Sequence, residues 1–235
     1  MTNWVSTDIF NTYMKLALLL PGYLDSPDYL HMMTFENGLH NLGYVAVRID
    51  PCNLWKTGKI ENYSITNYIK QIEDIIHSYK SEGLSEIVLI GHSVGGFVAI
   101  IAGSKIKEVT KIVSLCSPSD RVKSATKWNG EKLLHSRREL PEKTSQFRTF
   151  DIPYSFVQDG LKYSAKEEVK KINKPIMIFI AQNDRVVLPE ETEEIVANAH
   201  HPYVVRQNDM GHNFRHSQSE CNMVWKYIDE FLCKD

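Results

Sequence analysis

The chain has 235 residues, of which 43% are hydrophobic and 24% are charged. This length and balance are typical of a single globular α/β domain that is large enough to bury a full core. A formal net charge of −2 gives no basic field for a nucleic acid, so a polyanionic partner is not expected. Because Met1–Asp8 carries no basic residue and the apolar run Leu16–Leu20 is too short to cross a bilayer, we expect a cytoplasmic protein without membrane contact.

Short apolar runs rich in β-formers alternate along the chain with segments whose apolar residues recur at helical spacing. The predicted strands are Tyr13–Leu20, Tyr44–Asp50, Glu86–Ile90, Lys111–Cys116, Pro175–Ala181 and Tyr203–Gln207. The predicted helices are Tyr29–Leu42, Ile65–Tyr79, Gly95–Ser104, Glu190–Ala199 and Ser219–Leu232. This alternation predicts a mostly parallel sheet of about six or more strands, with crossover helices on its faces.

The most informative motif is Gly91–Gly96, which lies between the apolar runs Ile87–Ile90 and Phe97–Ile101. This order predicts a strand, a sharp turn with Ser93 at its apex, and a helix. The glycines two positions before and after the serine are needed because a Cβ there would clash in so strained a turn. A serine hydroxyl is unreactive at neutral pH, so the motif predicts a base elsewhere and donors for an oxyanion.

Two later strand ends carry the residue types that such a serine needs. Asp184 lies in Gln182–Val187 after one predicted strand, and His212 lies in Asn208–Phe214 after the next. In an open α/β sheet the ligand crevice lies beyond the carboxyl ends of the strands. We therefore expect Ser93, Asp184 and His212 to converge there, and their chain order is the one found in α/β hydrolases.

With these elements the chain resembles the α/β-hydrolase superfamily over nearly its whole length. The resemblance rests on the turn at Gly91–Gly96, the acid loop around Asp184, and Gly211–His212 before the last helix. Within the superfamily the chain is most similar to small capped esterases of the cinnamoyl or feruloyl esterase kind. The resemblance implies one α/β-hydrolase domain over residues 1–235.

The resemblance also implies a role for each residue of the Ser, Asp and His set. Ser93 is expected to be the nucleophile, and His212 to accept its proton and later return one to the leaving group. Asp184 is expected to hold the other ring nitrogen of His212. Two other acids stay open for that last role: Asp120, which follows the fourth predicted strand, and Asp209, which is close to His212 in sequence.

The oxyanion hole of this family uses two backbone N–H groups. Val94, the residue after the nucleophile, is expected to supply one, and Tyr23 in the loop Leu20–Ser26 the other. Many family members have a His-Gly pair in this loop, whereas Pro21 precedes Gly22 here, which leaves the support of the loop open. The Tyr23 side chain is a separate matter, since it can simply pack over the crevice.

Residues 118–164 contain no clear strand pattern and are predicted to form an inserted cap over the strand ends. Trp128, Tyr154 and Phe156 are candidates to line a substrate pocket, although each can equally serve to attach the cap to the body. Arg137-Arg138 is either a contact for an anionic substrate group or a solvated basic face.

No motif points to a cofactor or a metal. The chain has no HExxH, no His and carboxylate ladder and no GxxxxGK[ST] loop, and its four cysteines lack ligand spacing and are expected to be free thiols. A serine at the apex, in place of an aspartate, disfavours the relatives that attack through a carboxylate.

The function expected from this sequence is hydrolysis of a small-molecule carboxylic ester through an acyl-serine intermediate, by a monomer or homodimer. The same triad also serves thioester, amide or peptide, and carbon–carbon bond hydrolysis. Some relatives keep the triad and act chiefly as small-molecule receptors, so that alternative stays open as well.

Overall fold

The computed structural model describes residues 14–122 and 132–234. Its strands are β1 (Met14–Leu20), β2 (Tyr44–Arg48), β3 (Leu84–His92), β4 (Lys111–Leu115), β5 (Leu133–Leu140), β6 (Lys143–Pro153), β7 (Ile176–Ala181) and β8 (Tyr203–Gln207). Six of them form one sheet in the order β2-β1-β3-β4-β7-β8, and every neighbouring pair is parallel. The predicted parallel sheet is confirmed, with Tyr13 of the first predicted strand outside the described residues.

The helices cover both faces of this sheet. They are α1 (Leu30–Asn41), α2 (Leu54–Thr57), α3 (Ile65–Ser78), α4 (Val94–Lys105), α5 (Tyr154–Gly160), α6 (Ala165–Glu168), α7 (Pro189–Asn198) and α8 (Gln218–Leu232). All five predicted helices are among them. Helix α3 begins after Ser64, whose Oγ accepts a hydrogen bond from the Asn67 N–H at 3.1 Å. None of the helices in the described ranges is both long and apolar enough to cross a membrane.

The core lies on both faces of the sheet, which explains why its strands are continuous apolar runs. Leu16 and Leu18 of β1 pack in the cluster that includes α3 and α4, whereas Ala17 and Leu19 pack in the cluster that includes α1 and α8. Successive side chains of a strand point to opposite faces, so both sets must be apolar. Chemistry that needs polar groups is thereby confined to the strand ends.

Between β4 and β7 the structure contains a feature that the sequence did not predict. Strands β5 and β6 pair as an antiparallel hairpin, followed by α5. Most side chains of these two strands are exposed or half-buried, so the alternation that marks a strand is weak. Cross-strand contacts also support the hairpin: the Arg137 guanidinium lies 4.2 Å from the centre of the Phe147 ring.

The four cysteines are all free thiols, as predicted. Cys116 and Cys221 are buried, Cys52 is half-buried, and Cys233 is exposed near the end of the chain.

Candidate active site

Ser93 forms the sharp turn between β3 and α4. Its φ is +56° and its ψ is −121°, a conformation that L-residues rarely adopt. A Cβ on Gly91 would overlap the backbone of Gly95, and a Cβ on Gly95 would overlap the carbonyl of Leu20 at the end of β1. The strained turn therefore requires both glycines, as the sequence predicted.

The structure brings Ser93, His212 and Asp184 into one hydrogen-bonded line. Ser93 Oγ is 3.0 Å from Nε2 of His212, and Nδ1 of His212 is 2.6 Å from Oδ2 of Asp184. The other Asp184 oxygen accepts the N–H groups of Val186 and Val187 at 2.8 and 2.9 Å. Since Asp184 is a fixed acceptor, the proton of neutral His212 lies on Nδ1, which leaves Nε2 free to accept from Ser93.

These side chains meet because each follows the carboxyl end of a parallel strand. Backbone bonds hold the two later loops together: Gln182 N–H donates to the Gln207 carbonyl at 2.9 Å, and Asn183 N–H to the Met210 carbonyl at 3.0 Å. The loops after β7 and β8 therefore form one unit, with the acid and the imidazole at fixed positions.

The two alternative acids lie elsewhere. Asp120 is 3.2 Å from Nζ of Lys166 and accepts the N–H of Val122. Asp209 is exposed. Of the three acids considered, Asp184 is the one in contact with His212.

The two expected oxyanion donors flank the nucleophile. The Val94 N–H belongs to the first turn of α4, where helix N–H groups have no intrahelical acceptor. The loop that carries Tyr23 approaches closely, since a Cβ on Gly22 would be 3.3 Å from the Ser93 Cβ. Within the part of the chain that the structure describes, neither the Tyr23 nor the Val94 N–H has an acceptor, so both are available to an oxyanion.

The support of the Tyr23 loop, which the sequence left open, comes from two other segments. Arg138 of β5 donates to the Tyr23 carbonyl from Nε at 3.1 Å and from Nη2 at 2.8 Å. The Leu24 N–H donates to the hydroxyl of Tyr63 at 2.9 Å. Arg138 is therefore neither a solvated cation nor a cation left free to bind an anionic substrate group. It binds the carbonyl of Tyr23, the residue whose N–H is the expected oxyanion donor.

A buried ionic group centred on Asp25 lies beside the triad. Asp25 Oδ1 is 3.1 Å from Nη1 of Arg215 and 3.4 Å from Nε of Arg138, and Oδ2 is 3.9 Å from Nδ1 of His92. Burial by itself would raise the pKa of Asp25, but Arg215, His92 and Arg138 together hold that pKa well below its usual range. Arg215 also pairs with Glu139 at 2.8 Å. Sequence reasoning missed this group, since its members come from four separate segments.

We expect Asp25→Asn to lower the free energy of unfolding by about 3–5 kcal/mol at pH 7, because it leaves Arg215 and Arg138 without their shared carboxylate. A depressed folded-state pKa contributes stability that is complete above the unfolded pKa of about 3.9 and is lost as the pH falls below it. The stability difference between wild type and variant should therefore shrink below about pH 4. Urea titrations at pH 7 and at acidic pH measure it.

Asp28→Asn is the matched control, since Asp28 also pairs with an arginine, Arg48, but its side chain is 61% exposed. An exposed pair contributes about 0–1 kcal/mol. Equal effects of the two substitutions at pH 7 would contradict the account of Asp25.

The same region contains the one group of possible metal ligands found among the described residues. Ligand atoms of Asp25, His31 and His92 lie within 4.8 Å of one another and are buried. However, Asp25 already faces the positive charges of Arg215 and Arg138. Two guanidinium groups beside the carboxylate oppose a divalent cation, so these residues fit a metal poorly.

A cavity of about 480 Å³ opens at Ser93 and reaches the β5–β6 hairpin and α5. The rings of Tyr23 and Phe156 line it, with centroids 5.4 Å apart. Of the other expected pocket residues, Tyr154 is half-buried against the core and outside this lining, and Trp128 lies outside the described residues. The cavity therefore combines an apolar wall with the hydrogen-bonded line of Ser93, His212 and Asp184.

Comparisons with known proteins agree with this architecture. The PGAP1-like alpha/beta domain family matches residues 60–177, half of the chain. Human mitochondrial palmitoyl-protein thioesterase ABHD10 is 22% identical over 190 residues, which cover 77% of this chain and 60% of that protein. The chain therefore spans about 60% of the length of this curated relative.

Two solved structures show the same fold. Est1E from Butyrivibrio proteoclasticus with bound ferulic acid has a TM-score of 0.78 at 18% identity, covering 94% of this chain and 88% of that one. Mouse alpha/beta hydrolase domain-containing protein 10 has a TM-score of 0.67 at 15% identity, covering 92% and 89%. The resemblance drawn from the sequence is confirmed: the chain belongs to the PGAP1-like alpha/beta domain family, within the α/β-hydrolase superfamily.

Proposed function

We propose that this protein is a serine hydrolase that cleaves a carboxylic ester of a small molecule. The observation that carries the proposal is the buried line from Ser93 Oγ through His212 to Asp184, with hydrogen-bond distances of 3.0 and 2.6 Å. A nucleophile, a base and an orienting acid in this arrangement activate a hydroxyl for attack on an acyl carbon.

The first half of the proposed reaction forms an acyl-enzyme. Ser93 Oγ attacks the carbonyl carbon as His212 Nε2 takes its proton, and Asp184 stabilises the imidazolium. The N–H groups of Tyr23 and Val94 stabilise the oxyanion. Collapse of the tetrahedral intermediate breaks the bond between the acyl carbon and the alcohol oxygen. The alcohol oxygen leaves with the proton that His212 took from Ser93.

The second half hydrolyses the acyl-serine. Water gives a proton to His212 Nε2 and attacks the acyl carbon, and the same two N–H groups stabilise the second oxyanion. Ser93 Oγ then leaves with the proton from His212, and the carboxylic acid is released. No cofactor takes part in this proposed sequence.

We further propose that residues 118–164 act as a cap that shapes the substrate pocket. Leu134 of β5 and Phe156 of α5 line the cavity beside Ser93. A cavity of about 480 Å³ has the size of common small-molecule sites. The similar Est1E structure has ferulic acid bound, which supports a small aryl-containing substrate for this chain as well.

Thioester hydrolysis is the second candidate, because the curated relatives are named palmitoyl-protein thioesterases. Phenyl butyrate and S-phenyl thiobutyrate have the same acyl group and differ in the leaving atom, so they separate the two functions. We expect wild-type protein to turn over the oxyester with a burst of phenol as the acyl-enzyme forms.

The outcomes are distinct. Turnover of the thioester alone would replace the first candidate by the second. Tight binding of both compounds without turnover would contradict any hydrolase function and favour a receptor. Either hydrolase result should depend on Ser93.

A further inference from the structure

Arg121 is a buried cation at the cavity that has neither a hydrogen-bond acceptor nor an ion-pair partner among the described residues. It follows the end of β4, lines the same cavity as Ser93, and is 7% exposed. Its guanidinium forms no hydrogen bond or ion pair with any residue that the structure describes, and its Nε is fully buried. The other two arginines of the cavity, Arg138 and Arg215, are occupied by Asp25 and its neighbours.

Neighbouring groups hold the Arg121 side chain in place without satisfying it. Its Cζ lies 5.6 Å from the centre of the Phe156 ring, and a Cβ on Gly160 would come within 3.2 Å of its Cγ. The absence of a side chain at position 160 thus leaves room for the arginine stem against α5.

The nearby acids do not neutralise Arg121 by direct contact. Asp120 pairs with Lys166 at 3.2 Å. Glu191 lines the cavity and attracts Arg121 electrostatically. Burial lowers the pKa of Arg121, yet an arginine keeps its charge at neutral pH.

A buried guanidinium without an ion pair is costly for folding, and Arg121 has none with any residue in 14–122 or 132–234, so its place at this cavity calls for a functional reason. We propose, on the basis of the hydrolase function proposed above, that Arg121 binds a carboxylate of the substrate. The preferred substrates are then esters that carry a carboxylate in their acyl or alcohol part. Guanidinium and carboxylate groups fit each other through two parallel hydrogen bonds, which explains an arginine at this position.

Two matched pairs of esters test this inference on either side of the scissile bond. On the acyl side, mono-4-nitrophenyl adipate is compared with 4-nitrophenyl hexanoate. On the alcohol side, 4-acetoxybenzoate is compared with the neutral 4-acetoxybenzamide, and release of the phenol is measured. For each pair the measured quantity is the ratio of kcat/KM for the charged ester to that for the neutral one.

We expect at least one pair to favour the charged ester in wild type, and Arg121→Met to lower that ratio about 10- to 100-fold. Arg121→Lys keeps the charge but not the two parallel donors. Its ratio should lie between that of wild type and that of Arg121→Met. Arg137→Met is the control for net charge, since Arg137 is exposed on the hairpin, and it should leave the ratio unchanged.

Thermal unfolding separates binding from a structural role. The Arg121→Met substitution removes a buried charge that has no ion pair among the described residues. The midpoint temperature of its thermal unfolding should therefore equal or exceed that of wild type. A lower midpoint with the same ratio as wild type would overturn the inference and make Arg121 a structural residue. If Arg121→Met does not fold, the wild-type and Arg121→Lys ratios decide by themselves.

The inference and the proposed function fail in different ways. If neutral esters are hydrolysed with dependence on Ser93 but neither ratio depends on Arg121, only the inference is overturned. If wild type hydrolyses phenyl butyrate but none of these four esters, the inference alone is overturned, and if it hydrolyses none of the five, both are overturned.

Discussion

Ser93→Ala is expected to lower kcat for 4-nitrophenyl butyrate by about 10⁴- to 10⁶-fold. The substitution removes the Oγ atom that lies 3.0 Å from His212 Nε2, and no other group in contact with this imidazole nitrogen can form the acyl-enzyme. Release of 4-nitrophenol measures the effect, and circular dichroism checks that the fold is retained.

Ser104→Ala is the matched control for this substitution. Ser104 lies on the same helix α4 but bonds to Glu168 at 2.6 Å, away from the cavity. We expect its activity to stay close to that of wild type. Equal activity of Ser93→Ala and Ser104→Ala would show that Ser93 is not the nucleophile.

Asp184→Asn should have the second largest effect, a decrease in kcat of about 10⁴-fold. The carboxylate accepts from Nδ1 of His212 at 2.6 Å and from two backbone N–H groups. An amide nitrogen facing Nδ1 would favour the tautomer with its proton on Nε2, which can no longer accept from Ser93. Steady-state kinetics with 4-nitrophenyl butyrate measures the decrease.

Asp120→Asn is the comparison that decides between the two acids. Asp120 contacts Lys166 in a partly exposed ion pair, so its loss should change activity less than about twofold. If Asp120→Asn lost its activity while Asp184→Asn kept its own, Asp120 and not Asp184 would be the acid that orients His212.

The parallel sheet was predictable because its strands are buried on both faces and therefore form continuous apolar runs. Runs such as Leu16–Leu20 and Ile87–Ile90 need no tertiary information to be identified. The β5–β6 hairpin lacked this signal, since its side chains are mostly polar and are exposed or half-buried. Its pairing depends on backbone bonds and on cross-strand contacts such as that between Arg137 and Phe147.

The meeting of Ser93, Asp184 and His212 was predictable for a related reason. Each follows a strand, and parallel strands deliver their carboxyl ends to one edge of the sheet. The contacts of Asp25 and Arg138 depend on how the hairpin and the loop after β8 fold onto that edge. The spacing of apolar residues in the sequence does not predict such contacts. The pocket was predictable in part: Phe156 lines it, while Tyr154 packs against the core.

Covalent labelling tests the central claim most directly, because it reports on the nucleophile without requiring knowledge of the substrate. A fluorophosphonate should add one phosphonyl group per chain, and peptide mass spectrometry should place it on Ser93. Labelling should be abolished in Ser93→Ala and slowed strongly in His212→Ala, whose imidazole accepts the serine proton. No adduct on folded wild-type protein, or an adduct on another residue that persists in Ser93→Ala, would contradict the account.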